Sequence, residues 1–236
     1  MGASLYSSLP HALQLAISRV LALLPAAWRM RRTTRETLAF LQESDRWNSA
    51  QWRAYTDQKV RELVEVRGAD VNRLGGPLQQ PALVVTVTGN NGWPAVPAVA
   101  QLRNQVAKFL LDHGADPVRR ENHPMGAQTV IRAAVFNHLD ILEMCAAAIS
   151  PQRMADAINE YPVVNGLTAM HDTVLRATMA GPDRIEGYLE QTRFFVTHGG
   201  RTDIEDFAGV TQRELAFRVK DPQARQRLLD IIDGKD

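Results

Sequence analysis

Apolar and polar positions follow each other with helical spacing along much of this chain, and several of the helical stretches end alike. "VRELVEVRGADVN", "VAKFLLDHGADPV" and "TRFFVTHGGRTDI" each carry apolar residues three and four apart, then a glycine, then a polar extended stretch. The glycines are Gly68, Gly114 and Gly199. A glycine just past a helix supplies the left-handed C-terminal cap without a Cβ clash, so each predicts a helix end. The starts recur as well: "GAQTVIRAAV" from Gly126, "GLTAMHDTV" from Gly166 and "GVTQRELAF" from Gly209, with a weaker "PLQQPALVV" from Pro77. Self-similar helical segments of this kind predict a solenoid of stacked units.

The two ends of the chain extend the pattern. "LPHALQLAISRVLALL", Leu9 to Leu24, is apolar for about the length of a signal-peptide core, but no Lys or Arg precedes it and Arg19 interrupts it. It is too short and too interrupted to span a bilayer. His11, Gln14 and Ser18 fall along one helix face, which predicts an amphipathic helix covering the open end of the stack. The alternative is a membrane-surface contact through residues 9–32, helped by Arg29, Arg31 and Arg32. Tyr6 stands where a myristoylation signal needs Ser or Thr. At the other end, "DPQARQRLLDIIDGKD" predicts a final capping helix with Leu228, Leu229, Ile231 and Ile232 turned inward.

Composition narrows the function classes. Lys and Arg number 27 against 26 Asp and Glu, a balance that offers no basic field to nucleic acid. Hydrophobic content of 45% with 22% charged residues belongs to a folded chain. The single cysteine, Cys145, excludes an internal disulfide and a cysteine-based zinc cluster, and its apolar surroundings in "ILEMCAAAI" predict a buried, inert thiol. Arginine is strongly preferred over lysine, which points to a GC-rich, bacterial genome.

One stretch invites a catalytic reading. "NGLTAMHDTV" places His171 beside Asp172 and a hydroxyl at Thr168, the ingredients of a base, an orienting carboxylate and a nucleophile. No H-E-x-x-H, G-x-S-x-G, G-x-x-x-x-G-K-[ST] or post-strand G-x-G-x-x-G accompanies it. "DIEDFAG" lacks calcium-loop spacing, and acid pairs such as Glu205-Asp206 sit in ordinary surface contexts.

Taken together, these segments resemble the ankyrin repeat. "GLTAMHDTV" is similar to the family's G-x-T-P-L-H-x-A-A, "NHLDILEM" (Asn137 to Met144) to its G-H-L-E-I-V-x-L, and "FLLDHGADP" to the end of its unit. The resemblance covers most of the chain, with about five units starting near residue 33. It departs in spacing: Gln80, Gln128, Thr168 and Thr211 stand 48, 40 and 43 residues apart, against the family's roughly 33. The excess lies in Gly89–Leu102 and Thr178–Leu189, read as insertions between paired helices, and in Ser150–Val164, read as an extra helix turn between units. Gln replaces Thr at the two earlier starts, and no histidine follows, so weaker capping is expected there.

The resemblance implies an all-α ankyrin-repeat solenoid of helix pairs joined by hairpin-like loops, with N- and C-terminal capping helices. Its parts would be an N-terminal amphipathic helix over 1–32, irregular repeats over 33–218 and a C-terminal capping helix over 219–236. It also implies a structural role for the suspect residues: Thr168 as helix N-cap, His171 as a hydrogen-bond link within and between units, and Gly68, Gly114 and Gly199 as turns. Asp206 and Gly209 would close a hairpin. His113, His138 and His198 fall at positions where the family carries histidine, and His123 has no structural role. The expected function is a non-enzymatic protein–protein interaction module with no cofactor and no metal. Binding residues expected on the concave face are Arg119, Arg120, Glu121, His123, Arg132, Asp172 and Arg176, with Trp93 on an inserted loop. A cytoplasmic inhibitor of immunity type, a secreted effector, and a peripheral membrane adaptor using the N-terminal helix are the versions it leaves open.

Overall fold

The computed structural model describes residues 57–235 apart from 59, 67, 75–79, 89–96, 123–127, 136 and 162–165. The expected N-terminal helix, Trp93 and His123 lie outside the described residues. The chain divides into two compact units, Met1–His123 and Pro124–Asp236. Among the described residues the secondary structure is helical, and the extended backbone contributes an isolated antiparallel bridge between Glu205 and Thr211.

In the first unit a π-helical turn, Glu62–Val66, precedes α1 (Ala82–Thr88) and α2 (Pro97–Asp112). The α1 run "ALVVTVT" is rich in β-branched residues that favour helix weakly, and burial overrides the preference: Leu83, Val84, Val85 and Val87 are all in the core. Thr86, within the run, donates back to the Ala82 carbonyl at 2.9 Å, so its hydroxyl goes in satisfied. On α2 the buried positions Leu102, Val106, Phe109 and Leu110 form a single stripe. The helix stops at Gly114, whose φ of 83° is open to glycine and strained for other residues. The stop is a Schellman turn: the Ala115 N–H donates to Leu110 O at 2.9 Å and the Gly114 N–H to Leu111 O at 3.0 Å.

The second unit holds α3 (Thr129–Val135), α4 (Leu139–Ala148), α5 (Pro151–Asn159), α6 (Ala169–Met179), α7 (Pro182–Thr197), α8 (Gln212–Ala216) and α9 (Pro222–Ile232). Helices pair as α3 with α4, α6 with α7 and α8 with α9. Between pairs, first helices pack on first helices, α6 touching α3 and α8, and second helices on second, α7 touching α4 and α9. Each pair leaves an apolar stripe that only the next pair covers, the logic of a repeat stack. On α9 the inward residues are Ala224, Leu228, Leu229, Ile231 and Ile232, while Asp221 caps its start by accepting from the Gln223 and Ala224 N–H groups.

The extra sequence is handled in two different ways. Ser150–Val164 supplies a whole helix, α5, begun by the Ser150 cap and Pro151 in its first turn. It buries Met154, Ala157 and Ile158 against α3, α4 and α6. Thr178–Leu189 forms no inserted loop: α6 runs to Met179 and α7 begins at Pro182, so the added residues lengthen both helices. Helix continuation satisfies the backbone groups that a loop would have to find partners for.

Candidate functional site

The His171 neighbourhood is built at the start of α6. Thr168 has extended backbone and its Oγ1 accepts the His171 N–H at 3.4 Å, an N-cap. The imidazole reaches back: Nδ1 accepts the Thr168 N–H at 3.2 Å, which closes a capping box with histidine in the place Glu or Gln usually takes. Its other nitrogen, Nε2, donates to the Val210 carbonyl at 3.2 Å, in the hairpin before α8. Gln212 sits beside the ring, its Nε2 donating to His171 Nδ1 at 3.2 Å and to Thr168 Oγ1 at 3.4 Å. His171 is 0% exposed, and burial pushes its pKa below the ordinary 6.5, against the opposing pull of the Val210 carbonyl.

Asp172 takes no part in this. Its carboxylate accepts from Arg176 Nε at 2.6 Å, one turn along the same helix. The histidine has both nitrogens engaged by the fold and no exposed edge, so a substrate could neither reach the ring nor find a free lone pair on it. Cys145 is equally inert chemically: it is buried, and desolvation raises its pKa to about 12. Among the described residues no group of three or more His, Cys, Asp or Glu is placed to hold a metal ion.

The two earlier unit starts use a different link. Gln80 Nε2 donates to Glu121, and Gln128 Nε2 donates to Glu160. Each glutamine therefore bonds to the segment that follows the helices it precedes, past α2 for Gln80 and past α5 for Gln128, much as His171 bonds to Val210 past α7. Two asparagines make a second kind of link that the sequence reading missed. Asn72 Nδ2 donates to the Gly114 carbonyl at 2.8 Å while its Oδ1 accepts the Asp116 N–H at 2.7 Å. Asn159 does the same with the Gly199 carbonyl, at 2.8 Å, and the Arg201 N–H, at 2.8 Å. The signal was present as "ADVN" and "DAIN", but the second ends a helix and carries no glycine, which hid the equivalence.

At the helix ends, His113 Nδ1 lies 2.8 Å from Phe109 O and His198 Nδ1 2.7 Å from Phe194 O, each imidazole donating to a carbonyl one turn back. Each ring also packs on that phenylalanine, with centroids 4.0 Å apart in both cases. Gly68 and Gly199 have φ of 63° and 86°. Asp206 closes the last hairpin, Oδ1 accepting the Ala208 N–H at 2.8 Å and the Val210 N–H at 3.0 Å, with Gly209 at φ 73°. His138 occupies the N-cap of α4 without a side-chain cap bond.

The expected binding residues are dispersed. In the first unit Arg119 is exposed and borders an open cleft with Asp70, Asn72, Arg73, Leu74 and Asp116. Arg120 is half-buried. Glu121 is only 4% exposed and bonded to Gln80, so its carboxylate is committed to the interior. In the second unit the Asp172–Arg176 pair lies on α6 with the arginine about one-third exposed, 36%. The backbone of Arg132 belongs to α3; its side chain lies outside the described residues.

No family model matches the chain, and no curated protein matches it. Among solved structures it is similar to an ankyrin repeat domain from Acinetobacter baumannii AYE, at 18% identity over 78% of this chain and 77% of that one, with a TM-score of 0.55. The chain has an ankyrin-repeat fold.

Proposed function

We propose, proceeding from the ankyrin-repeat fold, that the chain is a non-enzymatic module that binds a protein partner. The observation that carries this is the division of labour among its polar residues. The one motif with catalytic ingredients is buried and consumed by the fold: His171 is 0% exposed with both ring nitrogens bonded. Charged groups that do not hold the stack reach solvent instead, Arg119 beside its cleft in the first unit and Arg176, over a half-buried Asp172, in the second. Arginine suits such a role because its planar guanidinium pairs with carboxylates two bonds at a time and stacks on rings. Glu121 is left out of the binding set, since its carboxylate faces Gln80. Arg120, Arg132, His123 and Trp93 stay in it. Among the described residues no helix is long and apolar enough to cross a membrane.

The test is an affinity pull-down of the tagged full chain from lysate, beside a variant with Arg119, Arg120 and Arg132 changed to alanine and shown by circular dichroism to be folded. A stoichiometric protein lost only with the variant supports the reading. Identical capture by both chains sinks the arginine assignment. If the captured partner is itself an enzyme or toxin, loss of its activity in the complex separates an inhibitory role from an effector or scaffold.

A further inference from the structure

The last hairpin of the second unit carries a surface that the packing does not use. Phe207 is 71% exposed at its tip, and Tyr161 beside it is 41% exposed. Large apolar side chains usually find cover, yet here several interactions hold the rings outward. The turn bonds of Asp206 fix the backbone around Phe207. The edge of the Phe207 ring sits directly over Gly166, where a Cβ would lie 2.4 Å from Cδ1 and 2.5 Å from Cγ, so the bare α-carbon is its seat. Gly166 also has φ 64°, which independently favours glycine. The Tyr161 ring runs nearly parallel to that of Phe207, with centroids 6.3 Å apart and planes 21° apart, and its hydroxyl donates to the Glu205 carbonyl at 3.0 Å. Two rings already immobilised lose little further freedom on meeting a partner.

The stretch of chain leading to Phe207 is acidic on balance. Residues 201–206 set one arginine against three carboxylates, Asp203, Glu205 and Asp206. Arg201 is taken up by Asp203, at 3.0 and 2.9 Å, and Glu205 and Asp206 immediately precede Phe207 in the chain, Asp206 with one carboxylate oxygen in the turn. An exposed aromatic face on an acidic stretch of chain attracts a guanidinium or ammonium twice, through the ring quadrupole and through charge.

We propose that this tip docks a basic, extended peptide segment of a protein partner, with an arginine or lysine lying over Phe207 and its charge toward Glu205. The proposal rests on the protein-binding reading above and adds the chemical class of the partner. Fluorescence anisotropy on the full chain tests it, using a short labelled peptide of alternating arginine and leucine and its glutamate counterpart. The arginine peptide binds, more weakly as salt rises, and Phe207→Ala weakens it about tenfold; Glu205→Gln weakens it less. If Phe207→Ala fails to fold, Phe207→Leu serves, since it keeps an apolar cover over Gly166 without the ring face. Equal binding of the two peptides, or unchanged binding by the folded Phe207 variant, overturns the proposal. So does a concentration-dependent dimer abolished by Phe207→Ala, which would give the rings to a second copy. A lysate partner retained by Phe207→Ala but lost with the arginine variant leaves the protein-binding reading standing and removes this one.

Discussion

Replacing His171 with alanine probes the link that decides between structure and chemistry. Two buried or half-buried groups lose their partner: the Thr168 N–H, 3.2 Å from Nδ1, and the Val210 carbonyl, 3.2 Å from Nε2. A buried group left unpaired costs about 1–3 kcal/mol; Val210 is half-buried, so water recovers part of its share. The vacated ring volume adds a cavity cost on the order of 1 kcal/mol. The expected loss is therefore about 3 kcal/mol, roughly a hundredfold in the folded-to-unfolded ratio of the second unit. Urea unfolding followed by circular dichroism reads it as a midpoint lowered by about 1–3 M. Thr168→Ala should cost about 1 kcal/mol as a lost cap, and Asp172→Ala about 0.5 kcal/mol as a lost i,i+4 pair within one helix. The same residue sets a pH dependence. Its folded pKa lies below 6.5, so the unfolded chain takes up the proton first: the contribution is full above 6.5 and is lost as pH falls through the folded value. That acid-side slope should be shallower in His171→Ala. An unchanged midpoint in His171→Ala, or a loss in Asp172→Ala as large as in His171→Ala, would refute the reasoning.

Three further outcomes are expected. Asn159→Ala removes two bonds to a segment some forty residues away in the same unit, to Gly199 O and from the Arg201 N–H, and should lower stability by about 1–2 kcal/mol in the same urea assay. Gly166→Ala meets both a positive φ and the Phe207 ring, so it should cost about 1–3 kcal/mol, part of it recovered in the double variant with Phe207→Ala; strict additivity would contradict the contact. Cys145, buried with its pKa raised to about 12, should react with iodoacetamide at pH 8 only as fast as the second unit opens; fast labelling of the folded chain would contradict its placement.

The helix ends, the unit starts and the inward stripes are legible in the order of residues alone, because these are local matters. Left-handed φ at Gly114 and Gly199 needs glycine, Thr168 caps the residues next to it, and Leu228, Leu229, Ile231 and Ile232 share a face by spacing alone. Tertiary structure decided what lies about forty residues away along the chain. It turned Thr178–Leu189 from an expected insertion into longer helices, and it let α5 end in an asparagine that does the work of Asn72 without the glycine. Glu121 went inward because Gln80 reaches it from a distant helix start, a pairing no local pattern encodes. Phe207 acquires its seat only where Gly166 and Tyr161 come to lie against it. Contacts of that separation depend on how successive helix pairs stack, and stacking is set by the summed fit of their apolar faces rather than by any one residue.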